Sequence, residues 1–193
     1  MPTVSIVVPT RERADYLDVA LASIAPQARE AGADVLVVVD GADPASGAIA
    51  ERHGARWTAH DAPRGLNAAR NTGAAATEGG LVAFVDDDVE APAGWLRALV
   101  EAAEAEPGAD VFGGPIRARL EGCRVPMCGR EGPPITALDL GAEDRDAERV
   151  WGANMAIRRA SKRREFRPPG CTSYACSRAV FGIRRGGAAA TGW

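Results

Sequence analysis

Five-residue apolar runs that recur between helical stripes constrain this chain most. Val4-Ser5-Ile6-Val7-Val8, Val35-Leu36-Val37-Val38-Val39 and Leu81-Val82-Ala83-Phe84-Val85 are nearly continuous apolar segments, with no polar alternation to mark a solvent-facing side. Such runs suit strands that are buried on both faces. Between them, Ala14 to Arg29 carries Tyr16, Leu17, Ala20, Leu21 and Ile24 at helical spacing, and Leu66 to Thr77 is a helix of small residues. Pro44 to His53 reads as a short helix, Arg56-Trp57-Thr58-Ala59 as a weak strand, and Pro92 to Glu106 as a helix with proline in its favoured first turn. Asp110-Val111-Phe112 adds another strand. The alternation predicts an α/β, Rossmann-like, mostly parallel sheet with helices on both faces.

In an open sheet of this kind, ligands bind beyond the C-terminal ends of the strands. Those ends supply Pro9-Thr10-Arg11-Glu12, then Asp40, then Asp86-Asp87-Asp88, so polar groups from three strands converge on one crevice. Three consecutive carboxylates are costly without a compensating cation. Hard divalent ions such as Mg²⁺ or Mn²⁺ prefer oxygen ligands of this type. A solvated turn that caps the following helix is the plainer reading of the same residues.

Absent motifs narrow the chemistry. No phosphate loop of the Gly-x-x-x-x-Gly-Lys-Ser/Thr type is present, and no Gly-x-Gly-x-x-Gly follows the first strand. His53 and His60 stand in no metal-ligand or nucleophile pattern and read as surface or loop histidines. The cysteines at 123, 128, 171 and 176 form two Cys-x4-Cys pairs, looser than zinc-ribbon spacing, and read as free thiols.

Charge divides the chain unevenly. Residues 151–193 hold nine Lys or Arg against the single acid Glu165, a net +8, and residues 1–150 carry a net −11. The basic segment lacks the interleaved aromatics or amphipathic helix of a nucleic-acid or membrane contact, and no nucleic-acid partner is expected. Met1-Pro2-Thr3-Val4-Ser5 has no basic leader, and no stretch is long enough for a transmembrane helix. A cytoplasmic protein is expected, with peripheral association at the inner membrane face left open.

Five segments together resemble the family 2 glycosyltransferases, which have the GT-A fold. They are Val4 to Thr10 with Tyr16-Leu17 downstream, Val37-Val38-Val39-Asp40-Gly41, Gly65 to Gly73, Phe84 to Asp88, and Gly152 to Arg159. They occur in the family's order and spacing across about residues 1–160. The resemblance implies transfer of a sugar from a nucleotide-sugar donor to an acceptor hydroxyl, metal-dependent and inverting. The acceptor is a glycan, a lipid-linked group or a small molecule.

By position, the resemblance implies that Pro9, Thr10 and Glu12 line the nucleotide pocket and that Asp40 hydrogen-bonds the base. It puts Arg70 near the base or diphosphate, Asp86 and Asp87 at the ribose and metal shell, and Asp88 as direct metal ligand, with Asp86 also assigned to the metal. Gly113, Gly114, Trp151, Gly152 and Asn154 fall on the acceptor side. The implied division is a glycosyltransferase domain over residues 1–160, with a nucleotide-binding half over 1–112 and the start of an acceptor half over 113–160. A basic tail over 161–193 is expected to be poorly ordered.

Two departures stand out. Val39 replaces the first acid of the family's usual pair before Gly41. After about residue 160 the chain reads as truncated or altered: no family motif follows Arg159, and Glu165 sits in a basic run too close to Asn154 to match the family's general base. No catalytic base is therefore assigned, and Glu143, Asp144, Asp146 and Glu148 stand as substitutes. The competing expectation is a sugar-nucleotide-binding remnant with little or no transfer.

Overall fold

The computed structural model describes residues 2–119, 138–139, 141, 145–146, 150–159 and 179–181. In chain order the elements are β1 (Val4–Thr10), α1 (Ala14–Ala31), β2 (Asp34–Val39), α2 (Pro44–Arg52), β3 (Arg56–Ala59), α3 (Leu66–Ala75), β4 (Leu81–Val85), α4 (Trp95–Ala105), β5 (Val111–Gly113), β6 (Arg145–Asp146), β7 (Asn154–Arg158) and β8 (Ala179–Phe181). The strands form one sheet in the order β3-β2-β1-β4-β7-β5-β8-β6. The pairs β3·β2, β2·β1, β1·β4 and β5·β8 are parallel; β4·β7, β7·β5 and β8·β6 are antiparallel.

Alternate residues of the apolar strands feed two cores. Ile6 and Val8 of β1 join Leu17, Leu21 and Ile24 of α1 and Leu96 and Leu99 of α4 on one face. Val7 packs with Leu36, Val38, Phe84 and the α3 residue Ala69 on the other. Burial on both faces explains why these strands show no polar alternation. Helix α3 lies very close to the sheet: a Cβ on Gly73 would stand 2.2 Å from Val7 Cγ1 and 3.2 Å from Val38 Cγ2.

The sequence reading needs correction at two places. Helix α4 begins at Trp95, not at Pro92, because Gly94 adopts φ 80° and the Trp95 N–H closes a turn onto the Pro92 carbonyl. Strand β7 was not anticipated, because its pattern Asn154-Met155-Ala156-Ile157-Arg158 is too short and too polar at its ends to stand out. It nevertheless pairs with β4 on one side and β5 on the other, so residues before and after 113 share one sheet. The four cysteines and most of the 161–193 tail lie outside the described residues; within that tail, 179–181 pair as β8 with β5 and β6.

Candidate functional site

Parallel registry sets the site. With Val7 opposite Phe84 and Thr10 opposite Val39, β1, β2 and β4 end nearly level, and their C-terminal residues meet at one crevice. A cavity of about 260 Å³ opens there, lined by Pro9, Thr10, Arg11, Arg13, Asp40, Gly65, Leu66, Ala69 and Asp86, Asp87 and Asp88. A larger cavity of about 390 Å³, bordered by Val4, Asp34, Arg56 and Gly79, lies at the opposite, N-terminal ends of the strands. Carboxylate chemistry and fold topology both select the first.

The three acids have separate environments. Asp87 is buried and accepts from Thr10 Oγ1 at 2.7 Å and from Arg13 Nη1 at 3.3 Å. Burial pushes its carboxyl above the ordinary range, against the pull of Thr10 and Arg13. Asp86 pairs with Arg70 at 2.6 Å, and the Arg70 side chain is only 9% exposed. Asp88 is half-exposed and, among the described residues, is hydrogen-bonded only by Arg13 Nη1, at 3.0 Å.

Asp40 is buried and anchors the loop before α3. Its Oδ1 accepts from His60 Nδ1 at 2.8 Å and from the Arg64 N–H at 2.7 Å, and its Oδ2 accepts from the Gly65 N–H at 2.8 Å. Burial alone would raise this carboxyl, but the hydrogen bonds from Arg64, His60 and Gly65 together hold it below the ordinary range. His60 is therefore no surface histidine; only 5% of its side chain is exposed. Register carried the missing signal: β2 and β3 pair Val39 with Ala59, which sets His60 beside Asp40.

Glu12 does not line the cavity. Its side chain is exposed and its backbone takes φ 53°, an unusual conformation for a non-glycine residue, while its N–H donates to Asp43 Oδ2 at 3.2 Å. Asp43 also caps α2 through Ser46, so one carboxylate ties the β1–α1 loop to that helix.

The residues expected on the acceptor side gather around β7. Asn154 pairs with Val85, the residue before Asp86; its Oδ1 accepts from Trp95 Nε1 at 3.0 Å and its Nδ2 donates to the Pro115 carbonyl at 3.3 Å. The Gly114 N–H donates to the Asn154 carbonyl, and Gly113 lies so close to Val150 that a Cβ would stand 2.6 Å from Cγ1. Gly152 abuts the Arg70 guanidinium, and Trp151 is 43% exposed. Of the candidate bases, Glu143, Asp144, Glu148 and Glu165 lie outside the described residues. Asp146 sits on β6, four strand positions from β4, roughly 19 Å along the sheet.

Among the described residues, no three His, Cys, Asp or Glu side chains are arranged to hold a metal by themselves. Asp88 and Asp86 nonetheless fit a hard cation that takes one or two carboxylates from protein and its remaining ligands from diphosphate and water. All the donors are oxygens, and the Arg13 guanidinium already shows that Asp88 attracts a cation.

The family described as Glycosyl transferase family 2 matches residues 5–165. A curated relative, an uncharacterized glycosyltransferase, EpsJ of Bacillus subtilis (strain 168), is 33% identical over 108 residues, covering 54% of this chain and 31% of the relative. The chain thus spans about a third of the length of that relative. Among solved structures, S. aureus TarS 1-349 superposes with a TM-score of 0.68 at 18% identity, over 94% of this chain and 58% of that one. The same protein in complex with UDP-GlcNAc gives 0.56 at 24% identity, over 64% and 37%. The mannosyltransferase PcManGT from Pyrobaculum calidifontis, in complex with GDP-Man and Mn²⁺, gives 0.53 at 24% identity, over 60% and 36%. At these identities the structural likeness shows the GT-A fold.

Proposed function

The chain belongs to glycosyl transferase family 2, and from that premise we propose that it binds a nucleotide-sugar donor in the crevice above β1, β2 and β4 and passes the sugar to an acceptor hydroxyl. The observation that carries this reading is the convergence of Asp40, Asp86, Asp87 and Asp88 on one cavity, with Arg70 paired to Asp86 behind it.

Each residue has a distinct task in this reading. Asp40, held ionised by its three donors, accepts an N–H from the base. Thr10 fixes Asp87, which with Asp86 faces the ribose and the cation shell. Arg70 holds Asp86 in place and presents a fixed guanidinium close to where diphosphate oxygens would sit. Asp88, with Asp86 beside it, would hold Mg²⁺ or Mn²⁺, which neutralises charge developing on the departing diphosphate. Asn154, tied to both Trp95 and Pro115, keeps the acceptor-side segment against the end of β4.

Inversion by direct displacement further requires a carboxylate that takes the acceptor proton, worth about 10²- to 10⁴-fold in rate. A binding remnant without transfer is the less favoured reading, since the matching family is described as a glycosyl transferase family, EpsJ as a glycosyltransferase and PcManGT as a mannosyltransferase. No described helix is long and apolar enough to cross a membrane, and a cytoplasmic location is part of the proposal.

Release of nucleotide from a panel of UDP-, GDP- and dTDP-sugars, measured with and without a broad acceptor mixture, tests the assignment. Acceptor-dependent release supports transfer. Nucleotide binding with no acceptor-dependent release would leave only the remnant.

A further inference from the structure

His60 and Thr72 have no place in the function described so far, yet both are tied to Asp40. His60 Nδ1 lies 2.8 Å from Asp40 Oδ1, and its Nε2 lies 2.9 Å from Thr72 Oγ1 on α3. An ionised carboxylate only accepts, so Nδ1 carries a proton and donates to Asp40, while Nε2 shares a hydrogen bond with the Thr72 hydroxyl. A hydrogen-bonded relay joins Thr72 and His60 to Asp40, and its last step is donation to the carboxylate.

That donation determines what Asp40 has left to offer. A carboxylate has about four acceptor positions. His60 and the Arg64 N–H fill both on Oδ1, and the Gly65 N–H fills one on Oδ2, leaving a single acceptor position on a residue that lines the cavity. Uracil and thymine present one ring N–H between two carbonyls. Guanine presents a ring N–H beside an amino N–H, a pair that matches both oxygens of a free carboxylate. Here its second donor would meet an oxygen already filled and stay unpaired, which is costly in a buried site.

Building on the nucleotide-sugar reading above, we propose that His60 is a positioning residue that restricts Asp40 to one acceptor, so the site selects pyrimidine-imide nucleotides over guanine nucleotides. The positioning rests on the buried Thr72–His60–Asp40 chain, and the selectivity on the count of acceptors it leaves.

Calorimetric titration of the full chain with UDP, dTDP, GDP and inorganic pyrophosphate in Mn²⁺, repeated on His60→Leu and His60→Asn, tests this. The unaltered chain is expected to bind UDP and dTDP at least about tenfold more tightly than GDP. His60→Leu frees an acceptor on Oδ1 and should lower the UDP-to-GDP preference about fivefold or more with pyrophosphate affinity unchanged. His60→Asn, whose amide N–H can stand near the position of Nδ1, should restore the preference. GDP binding as tight as UDP, an unchanged preference in His60→Leu, or an equal loss of all four ligands would overturn the inference and leave the nucleotide-sugar reading standing. No nucleoside diphosphate binding by the unaltered chain would overturn both. Should His60→Leu not fold, the nitrogen NMR spectrum of the unaltered imidazole decides: the Nδ1–H form is expected, and the Nε2–H form overturns the relay.

Discussion

Gly152 lies so close to the guanidinium of Arg70 that a methyl group on its Cα would stand 2.6 Å from Nη2 and 2.7 Å from both Cζ and Nη1. Arg70 lies on α3 and Gly152 in the segment leading into β7, so this contact joins two parts of the chain far apart in sequence. The absence of a side chain at 152 leaves the arginine room to reach Asp86 at 2.6 Å.

Gly152→Ala should therefore push Arg70 off Asp86. The atoms in the way are the far end of a flexible side chain, so stability should change little, and nucleoside diphosphate affinity should fall roughly tenfold. Thermal denaturation and calorimetry read the two effects. Unchanged UDP affinity in the variant would mean that the Arg70–Asp86 pair does not shape the site.

A second glycine tests how α3 packs on the sheet. Because a Cβ on Gly73 would stand 2.2 Å from Val7 Cγ1 in the sheet, Gly73→Ala should lift α3 from β1 and cost roughly 3 kcal/mol. Urea denaturation should show a lower midpoint with an unchanged slope. A midpoint like that of the unaltered chain would contradict the close packing of α3.

Much of this architecture is written in the residues. Continuous apolar runs such as Val35 to Val39 mark strands buried on both faces, and their polar ends mark the crevice. Strand β7 was hidden because Met155, Ala156 and Ile157 are too few to stand out, and only long-range pairing with Val85 through Leu81 makes them a strand. His60 was hidden for a related reason. Its burial follows from the twenty-residue offset between β2 and β3, which local pattern does not display. Arg13 was also missed as a partner of Asp87 and Asp88, because a charged residue in a loop gives no sign of which carboxylate it will meet.

Opposed carboxylates make stability depend on pH in two ways. Asp40, whose hydrogen bonds outweigh its burial, titrates below its unfolded value, so its contribution is present above about pH 4 and is lost as acid protonates it. Asp87 titrates above its unfolded value because of burial, so the folded chain binds that proton more tightly. Its contribution is full below about pH 4 and declines as pH rises through the raised value. Asp87→Asn should thus raise the melting temperature at neutral pH, with the advantage over the unaltered chain shrinking as pH falls, while weakening donor binding. A lower melting temperature for the variant at neutral pH would show that the Arg13 and Thr10 contacts outweigh burial.

Whether the ends of β1, β2 and β4 form a cation-assisted site for a nucleoside diphosphate is tested most directly by calorimetric titration of UDP into the full chain. With Mn²⁺ present, saturable binding is expected, weakened at least about tenfold by chelator and to a similar extent by Asp88→Ala. Equal affinity in Mn²⁺ and in chelator, untouched by Asp88→Ala, would contradict the account.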